Sequence, residues 1–194
     1  MSIFLLPELT YDRAPLLEYA LKQTNWYDNP IMPGVFSSQW GEHSDYIDPV
    51  FHEIINHFTN ALHIKGCQCP VKNQGLPGCK CIDGCTPRIV GAAFMKIKSN
   101  WTLQKHTDPG RYAGVNCPIT NSLKNSGIDI YDRGVVVSKV YTDCPYIIDT
   151  HSPHGAHNIS DNEDNVFLSL TFNKDTDIDF TQLVDWQLKG ELLQ

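Results

Sequence analysis

The chain has 194 residues and a net charge of −7, long enough for one domain with a sizeable core. The acidic balance and the absence of a basic run argue against a nucleic-acid backbone as the main partner. No apolar stretch nears membrane-spanning length, and the opening MSIFLLPELT is broken by Pro7 and Glu8 and lacks a basic n-region, so neither a span nor a signal peptide is expected. A cytoplasmic, reducing location follows as the expectation, and the seven cysteines are read first as thiols or metal ligands.

Residues 1–66 read as a helical buttress. The segment DRAPLLEYALKQ places Leu16, Leu17, Ala20 and Leu21 on one helical face, with Pro15 tolerated in the first turn. The run NWYDNPIMPGVFSSQWG is aromatic and proline-rich, and Trp26, Tyr27, Phe36 and Trp40 are expected to pack over a sheet. The segment DPVFHEIINHFTNALHIKG has Asp48 as N-cap, Pro49 at the first helical position, an apolar stripe through Val50, Ile54, Phe58, Ala61 and Leu62, and Gly66 as a stop.

Residues 67–87 form a cysteine-rich insert holding Cys67, Cys69, Cys79, Cys81 and Cys85 between Gly and Pro. Such a segment cannot build an apolar core. Its thiolate density suits Zn2+, although Cys-x-Cys pairs are not the usual Cys-x2-Cys knuckle, so zinc, disulfides and free thiols all stay open. Cys117 and Cys144 read as small core strand residues.

From Arg88 the period changes. RIVGAAFMKIK, RYAGVNCPI, GVVVSKVY, CPYIID and NVFLSLTF are short β-branched or aromatic runs separated by Asp-Pro-Gly, Asn-Ser-Gly, Asp-Arg-Gly and Ser-Pro-His-Gly turns. Many short strands without helices between them predict an antiparallel sandwich or barrel over residues 88–173. Residues 174–194 return as a closing helix, and the whole of 1–194 is expected to be a single domain.

Two His-x-Asp pairs occur, His43-Ser44-Asp45 and His106-Thr107-Asp108. Spacing alone does not separate them. The first lies in a polar loop before a helix cap, whereas the second lies between strand-like runs. In extended backbone, residues i and i+2 project to one side, so His106 and Asp108 can reach one ion. A third ligand is available downstream in THSPHGAHNIS from His151, His154 or His157. Two imidazoles and one carboxylate make the facial triad of non-haem Fe(II) oxygenases.

The order strand, HTD, strand, hairpin, PHGAHNISD and VFLSLTF resembles the 2-oxoglutarate/Fe(II)-dependent dioxygenases, in particular small hydroxylase-like members, over roughly residues 88 to 173. The resemblance implies a mainly β fold with flanking helices, a double-stranded β-helix (jelly roll, cupin-like). It also implies His154 as the third ligand, because Asn158, Ser160, Leu168 and Ser169 then fall in the family frame, while His151 is read as a surface residue or a hydrogen-bond donor to one of the ligands. The activity implied is hydroxylation of a C–H bond with Fe(II), 2-oxoglutarate and O2, giving succinate and CO2. An Asp ligand at position 108 favours hydroxylation over halogenation.

The family usually holds the far carboxylate of 2-oxoglutarate with Arg or Lys on the strand after the distal histidine. Here the corresponding positions are Asn165 and Phe167, and neither is basic. A desolvated carboxylate needs compensation. Lys139 is the preferred substitute, since a lysine within an apolar strand needs a reason to be there, and Arg111 is the second. Ser169 and Thr171 could add hydroxyl donors. The missing cation keeps two other readings in play: a cupin-like metalloenzyme using the same triad without 2-oxoglutarate, and a non-catalytic module whose cysteine loop recruits a partner. The primary substrate leaves no mark in the sequence.

Overall fold

The computed structural model describes residues 2–22, 26–29, 32–40, 57–58, 89–108, 113–120, 125–172 and 179–189. Eleven strands and two helices are defined among them. In chain order they are β1 (Ile3–Leu5), α1 (Arg13–Lys22), β2 (Tyr27–Asn29), β3 (Met32–Trp40), β4 (Ile89–Ile97), β5 (Trp101–His106) and β6 (Ala113–Pro118). There follow β7 (Ser126–Asp132), β8 (Val135–Val140), β9 (Tyr146–Asp149), β10 (His154–Asn158), β11 (Asn165–Phe172) and α2 (Phe180–Lys189). A larger sheet has the order β1-β9-β6-β11-β4-β3-β2 and a smaller one the order β5-β10-β7-β8. Every pairing is antiparallel. From β4 onward the chain passes repeatedly between the two sheets, which makes a double-stranded β-helix.

Strand alternation gives the larger sheet two buried faces. One face carries Ala92, Phe94, Val115, Cys117, Ile147, Leu168 and Leu170, packed with Leu16 and Ala20 of α1 and Leu183 of α2. Burial pushes the Cys117 thiol well above its ordinary value, so it behaves as a small apolar side chain. Cys144 differs from the sequence expectation: it lies just before β9 rather than within a strand, with its Sγ 3.1 Å from Thr142 Oγ1. The opposite face turns Met95, Ile97 and Phe167 toward Trp101, Leu103, Ile128 and Ala156 of the smaller sheet.

Both helices begin on an aspartate cap. Asp12 accepts from the Ala14 amide at 3.0 Å, and Asp179 accepts from the Gln182 amide at 2.7 Å. Leu16 and Ala20 are buried as the apolar spacing requires, while Leu21 is exposed. Besides α1, the described residues of the N-terminal third add strands to the larger sheet. β1 extends the sheet beyond β9, and β2 and β3 extend it beyond β4, so the aromatic, proline-rich run is itself sheet. Its β-branched residues are sparse, and pairing to β4 outweighs local propensity. The second expected helix, apart from His57 and Phe58, lies outside the described residues, as do the cysteine-rich insert and the His43/Asp45 pair.

Candidate metal centre

The three strands of the smaller sheet that the apolar pattern did not mark, β5, β7 and β10, build the site. β10 is central, paired to β5 on one side and β7 on the other. His106 ends β5 and His154 begins β10, and the two are register partners, with ring centroids 4.4 Å apart. Strict alternation from Leu103 would turn Lys105 inward beside His154. A bulge prevents this: between the pairs His154↔His106 and Ala156↔Leu103, β5 carries Gln104 and Lys105 opposite Gly155 alone. The extra residue re-aims the strand, so His106 faces inward and Lys105 is exposed. Gly155 is required by this close approach, because a Cβ there would lie 2.7 Å from the Leu103 carbonyl oxygen.

Each histidine is fixed by its own turn. His106 Nδ1 lies 2.9 Å from Gln104 O, and His154 Nδ1 lies 2.9 Å from Ser152 O. With Nδ1 as donor, Nε2 is the acceptor nitrogen of each ring, the tautomer a metal needs. Asp108 is set by its backbone, whose amide donates to Thr150 O at 2.9 Å. The Thr150 loop is in turn held by Asp149, which accepts from the His151 and Ser152 amides and the Ser152 hydroxyl. The result brings His106 Nε2 to 3.7 Å and His154 Nε2 to 3.9 Å from the Asp108 carboxylate oxygens. One donor atom from each of the three residues lies within 4.8 Å of the others. Two neutral imidazoles and a carboxylate suit an Fe(II)-type ion and leave positions for other ligands.

These side chains line a cavity bounded also by Met95, Ile97, Leu103, Ile128, Ile148 and Phe167. The lining is largely apolar and comes from the inner faces of both sheets.

The other sequence candidates fall in different places. Ser169 lies on the inner face of the larger sheet and lines the cavity. Phe167, the position where a cation is expected, fills its wall. Asn165 lines a second, smaller cavity instead, and its Oδ1 accepts from Thr120 Oγ1 at 3.0 Å. Lys139 is on the edge strand β8, half-exposed, with Nζ 3.7 Å from Asp129 Oδ1, and is not among the lining residues. Its partner Asp129 is register-paired to Gly155, on the outer side of the smaller sheet. His157 shares that outer side, three residues from His154, and its Nδ1 is 3.1 Å from Asp129 Oδ1. His151 is exposed. Arg111 and the five cysteines of the insert lie outside the described residues.

Asn158 and Ser160, which set the family frame, are structural. Asn158 Nδ2 donates to Ile97 O at 3.1 Å and Glu163 O at 2.8 Å, and its Oδ1 accepts from the Ser160 amide. Ser160 Oγ accepts from the Glu163 amide at 3.1 Å. Together they close the turn between β10 and β11 and tie it to the end of β4.

One polar lining residue was not singled out in the sequence. Asn116 of β6 is buried, lines the cavity and is the register partner of Ser169. An inward amide within the apolar run AGVNCP was the signal available for it.

No protein-family model matches the chain, and no curated protein does. Solved structures share its fold. A 2OG-Fe(II) oxygenase family oxidoreductase from Burkholderia pseudomallei is 9% identical with a TM-score of 0.55, covering 89% of this chain and 85% of that one. HygX from Streptomyces hygroscopicus, solved with nickel, 2-oxoglutarate and hygromycin B bound, is 9% identical with a TM-score of 0.56, covering 89% and 83%. A Trichoplax adhaerens prolyl hydroxylase, solved with a hypoxia inducible factor oxygen degradation domain peptide, is 11% identical with a TM-score of 0.56, covering 90% and 84%. At these identities the likeness is one of fold.

Proposed function

We propose that the protein is an Fe(II)- and 2-oxoglutarate-dependent dioxygenase that hydroxylates a C–H bond of an amino-acid, peptidyl or other small substrate, with succinate and CO2 as co-products. The observation that carries this reading is the convergence of His106, Asp108 and His154 on one another at a cavity inside a double-stranded β-helix. Neighbours of the same fold that bind nickel and 2-oxoglutarate, or a peptide, support the cofactors and the substrate class.

His106 Nε2, His154 Nε2 and the Asp108 carboxylate would hold the iron. When bound, iron supplies the O2-dependent oxidation, driven by decarboxylation of 2-oxoglutarate. The chain's own residues orient and enclose. The Gln104 and Ser152 carbonyls hold each imidazole with its lone pair forward. The Asp108 carboxylate would serve as a ligand where a halide-binding site would need a small residue, which favours hydroxylation. Met95, Ile97, Leu103, Ile128, Ile148 and Phe167 keep bulk water from the reacting atoms.

The protein loaded with Fe(II) under air should convert 2-oxoglutarate to succinate even without its primary substrate, at a low uncoupled rate. Asp108→Ala should abolish that conversion and iron binding together. A wild-type protein that binds iron but neither binds nor consumes 2-oxoglutarate would sink the proposal. One observation favours a second reading, a cupin-like metalloenzyme that works without 2-oxoglutarate: among the described residues no Lys or Arg lines the cavity. The same assay separates the two.

A further inference from the structure

We infer that one flank of the sandwich, where the edge strands β1 and β8 come together, is where a second copy of this chain docks. The inference does not depend on the proposed reaction, because the flank holds none of the candidate ligands.

Exposed apolar residues are unevenly spread over the molecule. Eight large hydrophobic side chains are exposed among the described residues, and five of them, Leu5, Val135, Val136, Val137 and Tyr141, belong to β1, to β8 or to the residue just after β8. β1 ends the larger sheet and β8 ends the smaller one. Both edges lie on the same side of the molecule, since Ile3 of β1 packs with Tyr146 and Ile148 of β9 against Ile128, Ile130 and Val140 of β7 and β8. Single exposed leucines such as Leu21 and Leu188 are ordinary, whereas three consecutive exposed valines on a free edge mark a surface that is covered in use.

The form of the edge indicates how it is covered. A bulge leaves Val137 between the pairs Ile130↔Ser138 and Tyr131↔Val136. Such an irregularity twists an edge and interrupts a continued ladder. The one charge within β8, Lys139, is engaged with Asp129 at 3.7 Å. The valines are therefore presented chiefly as side-chain surface.

Charge selects the occupant. The chain carries a net charge of −7, so two copies repel one another over most of their surface. On this flank Asp129 and Asp132 are offset by Lys139 and Arg133, and the local charge sums to zero. Self-association is least opposed there, and an apolar, charge-poor patch is the kind that identical chains share across a two-fold axis. A substrate strand fits the flank less well. Laid beside β8 it would stand three strand spacings, about 14 Å, from β10 and out of reach of His154. With β8 about 20 Å long and the sheets about 10 Å apart, the shared surface is small, so the dimer is weak and concentration-dependent.

The test is sedimentation equilibrium of the full chain from about 5 µM to about 1 mM, with reductant and chelator present so that neither thiols nor metal join the copies. The average mass should rise toward twice that of the monomer. It should rise further when salt goes from about 0.05 to about 0.5 M, because screening removes the repulsion between acidic copies. Val137→Lys and Val135→Lys each place a charge in the patch twice over, and each should weaken association at least about 10-fold. Leu21→Lys makes the same charge change on α1 and should leave association as it is. All three positions are exposed, and an unchanged thermal unfolding midpoint verifies that each variant folds. The inference is overturned by a chain that stays monomeric throughout the range, or by a dimer that weakens as salt rises. It is equally overturned if both valine variants leave the dimer intact, or if Leu21→Lys weakens it as much as they do.

Discussion

The two sheets of this protein divide the labour of stability and chemistry. The larger sheet is buried on both faces, under α1 and α2 on one side and against the smaller sheet on the other. Its strands are correspondingly apolar: β6 is buried at nearly every position. The smaller sheet faces the interior on one side. Its outer side mixes buried polar residues such as Asp129 and His157 with exposed residues, and its edge strand β8 is exposed along most of its length. Yet the smaller sheet, with the turn after β5, supplies all three candidate ligands. Metal sites need polar groups at a cavity, and the ends of two strands with the turn after β5 supply them here without emptying the core.

That division can be broken by mutation, and the largest effect should come from the larger sheet. Phe94 is fully buried at its centre. Phe94→Ala should lower unfolding free energy by about 3–5 kcal/mol, through lost transfer energy and the cavity left behind. Denaturant unfolding would measure this, and iron affinity of the remaining folded protein should stay as it was. An equal loss of metal affinity would show that the sheets do not act separately.

Asn158→Ala comes next and tests the joint between the sheets. It removes two donated hydrogen bonds, to Ile97 and Glu163, and leaves the Ser160 amide unmatched. A cost of about 2–3 kcal/mol is expected in the same unfolding experiment. Because Asn158 sits at the far end of β10 from His154, metal affinity should fall much less than stability. Gly155→Ala should do the reverse. The added Cβ meets the Leu103 carbonyl at 2.7 Å and must open the β5 bulge, costing about 1–3 kcal/mol. Since that bulge aims His106, metal affinity measured by competition with a chelator should drop about 10- to 100-fold.

The same contrast governs how much was legible in the sequence. β4, β6, β9 and β11 of the larger sheet announced themselves as β-branched or aromatic runs, as strands buried on both faces do, whereas β1, β2 and β3 did not. Nor did β5, β7 and β10, since TLQK, GIDIYD and HGAHN carry few apolar residues and interleave them with polar, charged or small ones. The triad was nonetheless readable, through the HTD spacing and the Asn158/Ser160 frame downstream, and the frame works because those two residues are turn staples with fixed geometry. The bulge was not readable: strict alternation makes Lys105 the inward residue, and only pairing to Gly155 reverses it. The inward face of Lys139 was expected from its apolar neighbours, but β8 is an edge strand whose valines are themselves exposed, so its neighbours carry no information about facing. Asn116 went unmarked because one amide in an apolar strand has no periodicity.

The smallest predicted effect is on that edge strand. Val135, Val136 and Val137 are 62, 41 and 57% exposed, so apolar character there does not report burial. Val137→Thr keeps β-branching and removes little buried surface, so unfolding free energy should change by no more than about 0.5 kcal/mol, with metal affinity unchanged. The value of so quiet a substitution lies in its sign. An apolar edge with one free side is a template for pairing with another chain, and a hydroxyl there weakens such pairing without touching the fold. If Val137→Thr instead destabilises the monomer by more than 1 kcal/mol, measured at low concentration, then β8 is covered in solution. The contrast between a sheet buried on both faces and one open on its outer side would then have to be redrawn at this strand first.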